Sequence, residues 1–271
     1  EMDETLKQQY IAELRLGRGW LAYLLYDFYG PITIADLQTL KDPMAEKILP
    51  RLSEEEMQTY IETELTEASK ILPANYKKGD KNYGRFTAGL AHTVLLKLYM
   101  LTKQWDKAEA EGRELMKPEY GFELVPEYKD IFTLANEKNP EIIWACQCAK
   151  GYQEHKWQPH VLPNDYNFTS YLDKMTKWNG YKISWDFMQT FDPADRRLLT
   201  IAYEYTSKDG VVHNEKNDRP DPSAQLYLGA VPLKYEFDPD CTGEDSQIDW
   251  IIYRYADAVS YTHLTLPTIR L

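Results

Sequence analysis

The chain has 271 residues, and 31 lysines and arginines against 43 aspartates and glutamates give it a formal net charge of −12. That length is ample for a packed core, and the acidity leaves no basic stripe to neutralise phosphates, which excludes nucleic acid or an anionic membrane surface as a charge-driven partner. No stretch approaches the roughly 18 uninterrupted apolar residues of a membrane span, while 21 Tyr, 8 Phe and 7 Trp make an aromatic-rich chain suited to a heavy core or to a surface that stacks on flat ligands.

In chain order, Leu6, Tyr10, Leu14, Leu21, Leu24 and Phe28 recur at helical spacing over Glu4 to Tyr29, with Gly17 on the same stripe, and Gly30-Pro31 ends the helix. Ser53 followed by Glu56 is a capping box, and Met57, Ile61, Leu65, Ala68 and Leu72 form the buried stripe of a second helix that stops before Pro73. Thr87 to Lys103 carries Ala88, Ala91, Leu95 and Leu98 on one face, and Trp105, Ala108, Gly112 and Leu115 repeat the pattern at once, so two antiparallel helices approach closely through small residues. Tyr99 and Ala108 sit nine apart, as the corresponding pair does in a tetratricopeptide unit. From Asn136 the helical repeat gives way: Ile142, Trp144, Cys146 and Cys148 alternate as on a half-buried strand. Gly151 to Tyr181 then scatters Tyr152, Trp157, Tyr166, Phe168, Tyr171, Trp178 and Tyr181 through loop chemistry. Ser184 opens a short helix whose Trp185, Phe187 and Phe191 are assigned to the core, and residues 200 to 250 read as short strands and loops.

Motif by motif, catalysis and cofactors find no support. Cys146, Cys148, His155 and His160 resemble a metal inventory, but the thiols are spaced too closely for a usual zinc site, so they are read as filling an apolar face and no metal is expected. The acidic loop Asp238, Asp240, Glu244, Asp245 and Asp249 lacks the regular spacing of a calcium cage and is read as a solvated turn. Gly17-x-Gly19 follows no strand, and no nucleophile elbow, zincin motif or phosphate loop occurs, so no catalytic residue and no cofactor are assigned. The aromatic loop region is the candidate site. Trp157, Tyr166 and Trp178 are the expected stacking platforms, and Asp165 and Asn179 the expected hydrogen-bond partners for sugar hydroxyls.

Several segments together resemble one family. Ala12-Glu13-Leu14-Arg15 with Trp20, Tyr23, Asp27 and Tyr29-Gly30-Pro31, then Leu52-Ser53-Glu54-Glu55-Glu56 to Ile71-Leu72-Pro73, then Gly84-Arg85-Phe86-Thr87-Ala88-Gly89 and Trp105-Asp106-Lys107-Ala108-Glu109 are similar in order and spacing to SusD/RagB-like outer-membrane nutrient-binding lipoproteins. Asn139-Pro140-Glu141-Ile142-Ile143-Trp144, Trp185-Asp186-Phe187, Phe191-Asp192-Pro193-Ala194-Asp195-Arg196-Arg197 and Arg254-Tyr255-Ala256-Asp257 continue the resemblance. It implies a mainly α fold, a tetratricopeptide-like helical scaffold (1–135) with an inserted, loop-rich capping and ligand-binding subdomain containing short strands (136–251), and the start of a further scaffold helix (252–271). It also implies a non-enzymatic, surface-exposed outer-membrane protein that captures glycans for a SusC-like TonB-dependent transporter. Membrane association would come only through a lipid anchor outside this chain. Peptide or other nutrient capture in the same kind of complex is the alternative, with a helical glycoside hydrolase and a peptide-gripping tetratricopeptide adaptor as rivals. The chain opens at Glu1 without a signal-like segment and is read as an internal fragment. Residues 259–268, rich in Thr and carrying Pro267, lack a helical stripe and are expected not to continue the last helix, so the final dozen or so residues are read as an atypical, foreign tail.

Overall fold

The computed structural model describes residues 2–42, 44, 48–166, 174–241 and 243–265, the last three without their side chains. Pro43, Phe168 and Tyr171, and residues 266–271 with Pro267, lie outside the described residues. The chain divides into two compact units: residues 1–124, 140–144 and 253–271 form one, and residues 125–139 and 145–252 the other. In the second unit the 3-10 turn Tyr128–Phe132, followed by a second at Leu134–Asn136, buries Ile131 and Phe132 against Tyr235 and Ile248.

The first unit is helical. Helices α1 (Glu4–Tyr29), α2 (Leu37–Lys41), α3 (Glu54–Ser69), α4 (Ala88–Leu101) and α5 (Trp105–Leu115) are followed by strand β1 (Ile142–Cys146), whose first residues belong here. Start signals work as their chemistry requires: Asp3 accepts from the Leu6 N–H at 3.0 Å, Thr87 from the Leu90 N–H at 3.2 Å, and Ser53 and Glu56 close a reciprocal capping box at 3.2 and 2.8 Å. On α3 the expected stripe of Met57, Ile61, Leu65 and Ala68 is fully buried. On α1 the buried face is a different one. Ala12, Leu16, Gly19, Tyr23 and Tyr26 face inward, whereas Leu14 and Phe28 of the expected stripe are 74% and 75% exposed. The helix carries two apolar stripes, and the one with small residues packs, because a methyl group at Gly19 would stand only 3.0 Å from Leu65 on α3.

Several of the residues that carry the family resemblance form internal ties of this unit. Arg85 grips Glu13 through two bonds of 2.9 and 2.8 Å. Trp20 meets Trp144 edge-on at 4.9 Å and donates its indole N–H to the Tyr253 hydroxyl at 2.9 Å, while Trp144 donates to the Gly84 carbonyl at 3.1 Å. Buried Glu141 receives Arg254 at 2.5 Å, and buried Glu64 binds both Arg15 and Arg18. A buried carboxylate without such partners would be costly, so removing the arginine of either cluster would leave an uncompensated buried charge.

The second unit is built from short pieces: α6 (Trp157–Val161), β2 (Ile183–Ser184), α7 (Trp185–Met188), β3 (Ile201–Ala202), β4 (Glu204–Thr206), β5 (Val212–Asn214), α8 (Glu215–Asp218), β6 (Gly229–Pro232) and the first residues of β7 (Trp250–Arg254). Strand β6 runs antiparallel between β2 and β3, with Ile183 opposite Ala230 and Ala202 opposite Val231. Gly229 has φ 150°, and a side chain there would fall 1.9 Å from the Ile183 carbonyl oxygen, so glycine is required for that pairing. Strands β4 and β5 form a hairpin in which Tyr205 faces His213. The expected half-buried alternation of β1 is not seen, since Ile143 and Ala145 are buried as deeply as Ile142. Trp185 is core, but Phe187 is 56% exposed and packs edge-on against Phe191 at 5.4 Å.

The last helix, α9, runs over Tyr255–Thr265 in the first unit, beyond the point where the sequence pattern predicts it to stop. Close approach to α5 replaces the missing stripe. Ala258 and Thr262 are buried, the Thr262 hydroxyl donates to the Ala258 carbonyl at 2.7 Å, and a methyl group at Gly112 would meet the Thr262 oxygen at 1.8 Å. Gly112→Ala is therefore expected to lower unfolding stability by about 1–3 kcal/mol through overpacking. Adding Thr262→Ala should restore part of that loss, a coupling that chemical denaturation of the four members of the cycle will measure.

Candidate functional site

The second unit contains an aromatic-walled hollow of about 650 Å³, lined by Trp157, His160, Tyr181 and Trp250, with Cys146, Cys148 and His155 beside them and Gln153, Glu154 and Lys156 as further polar lining. Its construction begins at α6. A five-residue helix leaves most of its carbonyls without intrahelical partners, and here the segment 178–181 supplies them. Trp178 donates to the Pro159 carbonyl at 2.8 Å, Asn179 to Leu162 at 2.9 Å, and Gly180 and Tyr181 both to His160 at 2.8 and 2.9 Å. A side chain at Gly180 would stand 2.8 Å from the His160 carbonyl oxygen, and Asn179 takes φ 53°, a left-handed conformation that asparagine tolerates.

That docking sets the rings. Tyr181 lies nearly parallel to Trp157, 18° apart at 6.3 Å, and 5.2 Å from His160, whose other side meets the edge of Trp178 at 4.7 Å. Trp157 continues to Trp250 at 5.6 Å, and Trp250 stacks on Tyr235 at 5.0 Å and 13°. Tyr181 is 60% and Trp178 40% exposed, while Trp157 is partly buried against both hydrophobic clusters of this unit. The indole N–H of Trp157 is buried and finds no acceptor among the described residues.

Electrostatically the hollow is quiet. Burial pushes the His155 pKa down, and its ring is committed on both sides: Nε2 lies 2.9 Å from the Ile248 carbonyl and Nδ1 accepts from the Trp157 N–H at 3.2 Å. The neutral ring therefore carries its proton on Nε2. The Lys156 ammonium is held by Glu244 at 2.7 Å. Burial raises both thiols, Cys148 to about 11, so neither is a ready nucleophile or metal ligand. Among the described residues no three His, Cys, Asp or Glu side chains converge as a metal site.

The comparisons with known proteins converge on one fold. No family model matches the chain. A protein of Bacteroides ovatus described as SusD-like is 28% identical over 221 residues, which are 74% of this chain and 37% of that protein. A solved SusD-like protein from Bacteroides fragilis matches with a TM-score of 0.75 at 21% identity, covering 97% of this chain and 59% of its own. A solved laminarin-binding SusD-like protein gives a TM-score of 0.75 at 19% identity, covering 97% and 61%. The chain is thus similar in sequence to a SusD-like protein and shares the fold of solved SusD-like proteins. It spans little more than a third of the Bacteroides ovatus relative and about three fifths of the two solved structures.

The five residues expected at the site divide between surface and framework. Trp157 lines the hollow, and Trp178 flanks it through His160. Tyr166 is 3% exposed, packed at 5.0 Å from Tyr205 and 6.1 Å from Phe237, and has no open face to offer a sugar. Asp165 accepts from the Tyr205 hydroxyl at 2.6 Å and lies 2.9 Å from Nε2 of His213, whose Nδ1 is 2.8 Å from buried Asp218. Asn179 donates its side-chain N–H to the Gln225 carbonyl at 3.1 Å, while its buried Oδ1 has no donor among the described residues. These three hold the unit together. Tyr181, His160, Trp250, Gln153, Glu154 and Lys156 were not selected from the sequence. Tyr181 belonged to the same aromatic run, but Trp250 lies far along the chain with no local signal linking it to Trp157.

Next to Tyr181, Lys182 donates to the Val161 carbonyl at 3.2 Å, and burial lowers its pKa from an ordinary 10.5 to about 8. Between those values the unfolded chain binds the proton that the folded chain has lost, so this residue makes stability rise with pH across that window. Lys182→Met is expected to stabilise the protein at pH 7 and to flatten stability between pH 8 and 10.5, as urea denaturation at several pH values will show; a variant with an unchanged pH slope would refute the assignment.

Proposed function

We propose that the hollow beside Trp157, Tyr181 and Trp250 binds a glycan through ring stacking, without cleaving it. The observation that carries this reading is the row of rings from Trp178 through His160 and Tyr181 to Trp157 and Trp250, with exposed faces at Tyr181 and Trp178 and polar groups of Gln153, Glu154 and Lys156 alongside. Sugar C–H faces pack on such rings, and their hydroxyls take hydrogen bonds from flanking polar groups. Glu154 is the one carboxylate among the described residues lining the hollow, whereas glycoside hydrolysis in its usual form uses a facing pair. The name of the laminarin-binding neighbour supports the same ligand class.

In this proposal the protein acts at the outer surface of the cell and passes its ligand to a SusC-like TonB-dependent transporter, as the SusD-like resemblance implies. Among the described residues no helix is long and apolar enough to cross a membrane. Calorimetric titration and affinity electrophoresis with laminarin test the site. Tyr181→Ala and Trp157→Phe are each expected to weaken binding about tenfold, or ~1.4 kcal/mol. Phe187→Ala, exposed and outside the hollow, should leave affinity unchanged. Binding of a peptide library at the same rings, with no affinity for any glycan in a panel, would replace carbohydrate by peptide as the ligand. Release of reducing sugar would replace binding by hydrolysis.

A further inference from the structure

The proposal of a glycan site leaves open which glycans it admits, and the charges around the hollow bear on that choice. An acidic polymer, such as one of uronic acid units, brings one carboxylate per charged residue and gains when it meets an uncommitted cation. The hollow offers little of that kind. The Lys156 ammonium is neutralised by Glu244 at 2.7 Å. His155 gives its Nε2 to the Ile248 carbonyl at 2.9 Å and its Nδ1 to the Trp157 N–H at 3.2 Å, so it presents no charge and no spare donor.

Carboxyl groups lie in the lining and behind it. Glu154 lines the hollow itself. Behind Cys148, buried Asp249 accepts from the Cys148 N–H at 2.8 Å through one carboxylate oxygen, and its own N–H donates to Glu137 at 2.9 Å. His160, the remaining basic group in the lining, is held between the rings of Trp178 and Tyr181. A chain of net charge −12 adds a repulsive background at low salt.

We infer that the hollow selects neutral glycans and discriminates against acidic ones, the selection being made by Glu154 and by the Glu244 carboxylate that occupies Lys156. This inference rests on the glycan-binding reading and narrows it to a ligand class. Neutral sugars lose nothing here, because stacking and hydroxyl hydrogen bonds need no net charge. An acidic polymer must bring its carboxylates beside Glu154 in a partly desolvated space, where like charges are screened less than in bulk water.

The experiment uses the full 271-residue chain and two probes, laminarin as a neutral polymer and polygalacturonate as an acidic one, titrated at low and moderate salt. The wild-type protein is expected to bind laminarin at least about tenfold more tightly than polygalacturonate, with the gap narrowing as salt rises. Glu154→Gln and Glu244→Gln should each strengthen polygalacturonate binding severalfold relative to laminarin, in a salt-dependent manner. Both positions are at or near the surface, and circular dichroism will verify that the variants fold. Equal affinity for the two polymers, abolished for both by Tyr181→Ala, would overturn the charge selection while leaving the glycan site standing. Carboxamide variants that fail to gain polygalacturonate binding would overturn the assigned cause. A protein that binds neither these two polymers nor any other glycan would overturn the glycan site, and the selection with it.

Discussion

The candidate site depends on one constraint: a helix too short to satisfy its own carbonyls. Helix α6 is five residues long, and the carbonyls of Pro159 and His160, with that of Leu162 just past its end, find their donors in the segment from Trp178 to Tyr181. Backbone groups at the edge of a core cannot be left unpaired without a cost of roughly 1–3 kcal/mol each. Four such bonds fix the segment's position. The rings of Trp178 and Tyr181 follow passively, because their backbone is already placed. Gly180 makes the approach possible by having no side chain where the His160 carbonyl sits. The aromatic row is thus a consequence of backbone satisfaction, and its geometry is as rigid as that small hydrogen-bonded knot.

In the other unit the organising chemistry is different. Helices approach through small residues, Gly19 against Leu65 and Gly112 against Thr262, and the buried charges Glu64 and Glu141 are each answered by arginine. Those contacts account for the motifs that made the sequence resemble SusD-like proteins: Glu13 with Arg85, Trp20 with Trp144, Glu141 with Arg254. Every one is an internal tie of the helical unit. The resemblance thus rests largely on ties inside the helical unit, with Trp185-Asp186-Phe187 and Phe191 to Arg197 as its segments in the second unit, and none of the rings of the hollow is among the residues that carry it. A recognised fold and an unassigned ligand are compatible for that reason.

Much of the helical unit was legible from local rules. The capping box of Ser53 and Glu56, the stripe on α3 and the close-packed α4–α5 pair all follow from residues within a turn or two of one another, where spacing alone determines which side chains share a face. The stripe on α1 was read on the wrong side because Leu14, Leu21 and Phe28 repeat as regularly as Ala12, Leu16, Gly19 and Tyr23. Hydrophobicity alone could not rank the two, whereas Gly19 marks the face that packs. Helix α9 outran its pattern because a glycine on α5, far away in sequence, makes room for Thr262. In the second unit, Asp165 and Asn179 have the right chemistry for sugar hydroxyls, but His213, Tyr205 and Gln225 claim them first.

By itself the sequence determined a helical scaffold with its caps, a change to loop-rich structure, an aromatic surplus in that region and the absence of any recognisable catalytic motif, since each of these is written in composition or in short-range spacing. Only the tertiary structure decided which aromatics are surface and which are core. Tyr166 and Tyr181 are the same residue type in the same run, yet one is closed in by Tyr205 and Phe237 and the other is held open over Trp157. That choice, and the arrival of Trp250 beside them, depends on contacts between residues distant along the chain. The energy of burying a ring is set by whatever surrounds it in space, and local sequence carries no record of those surroundings.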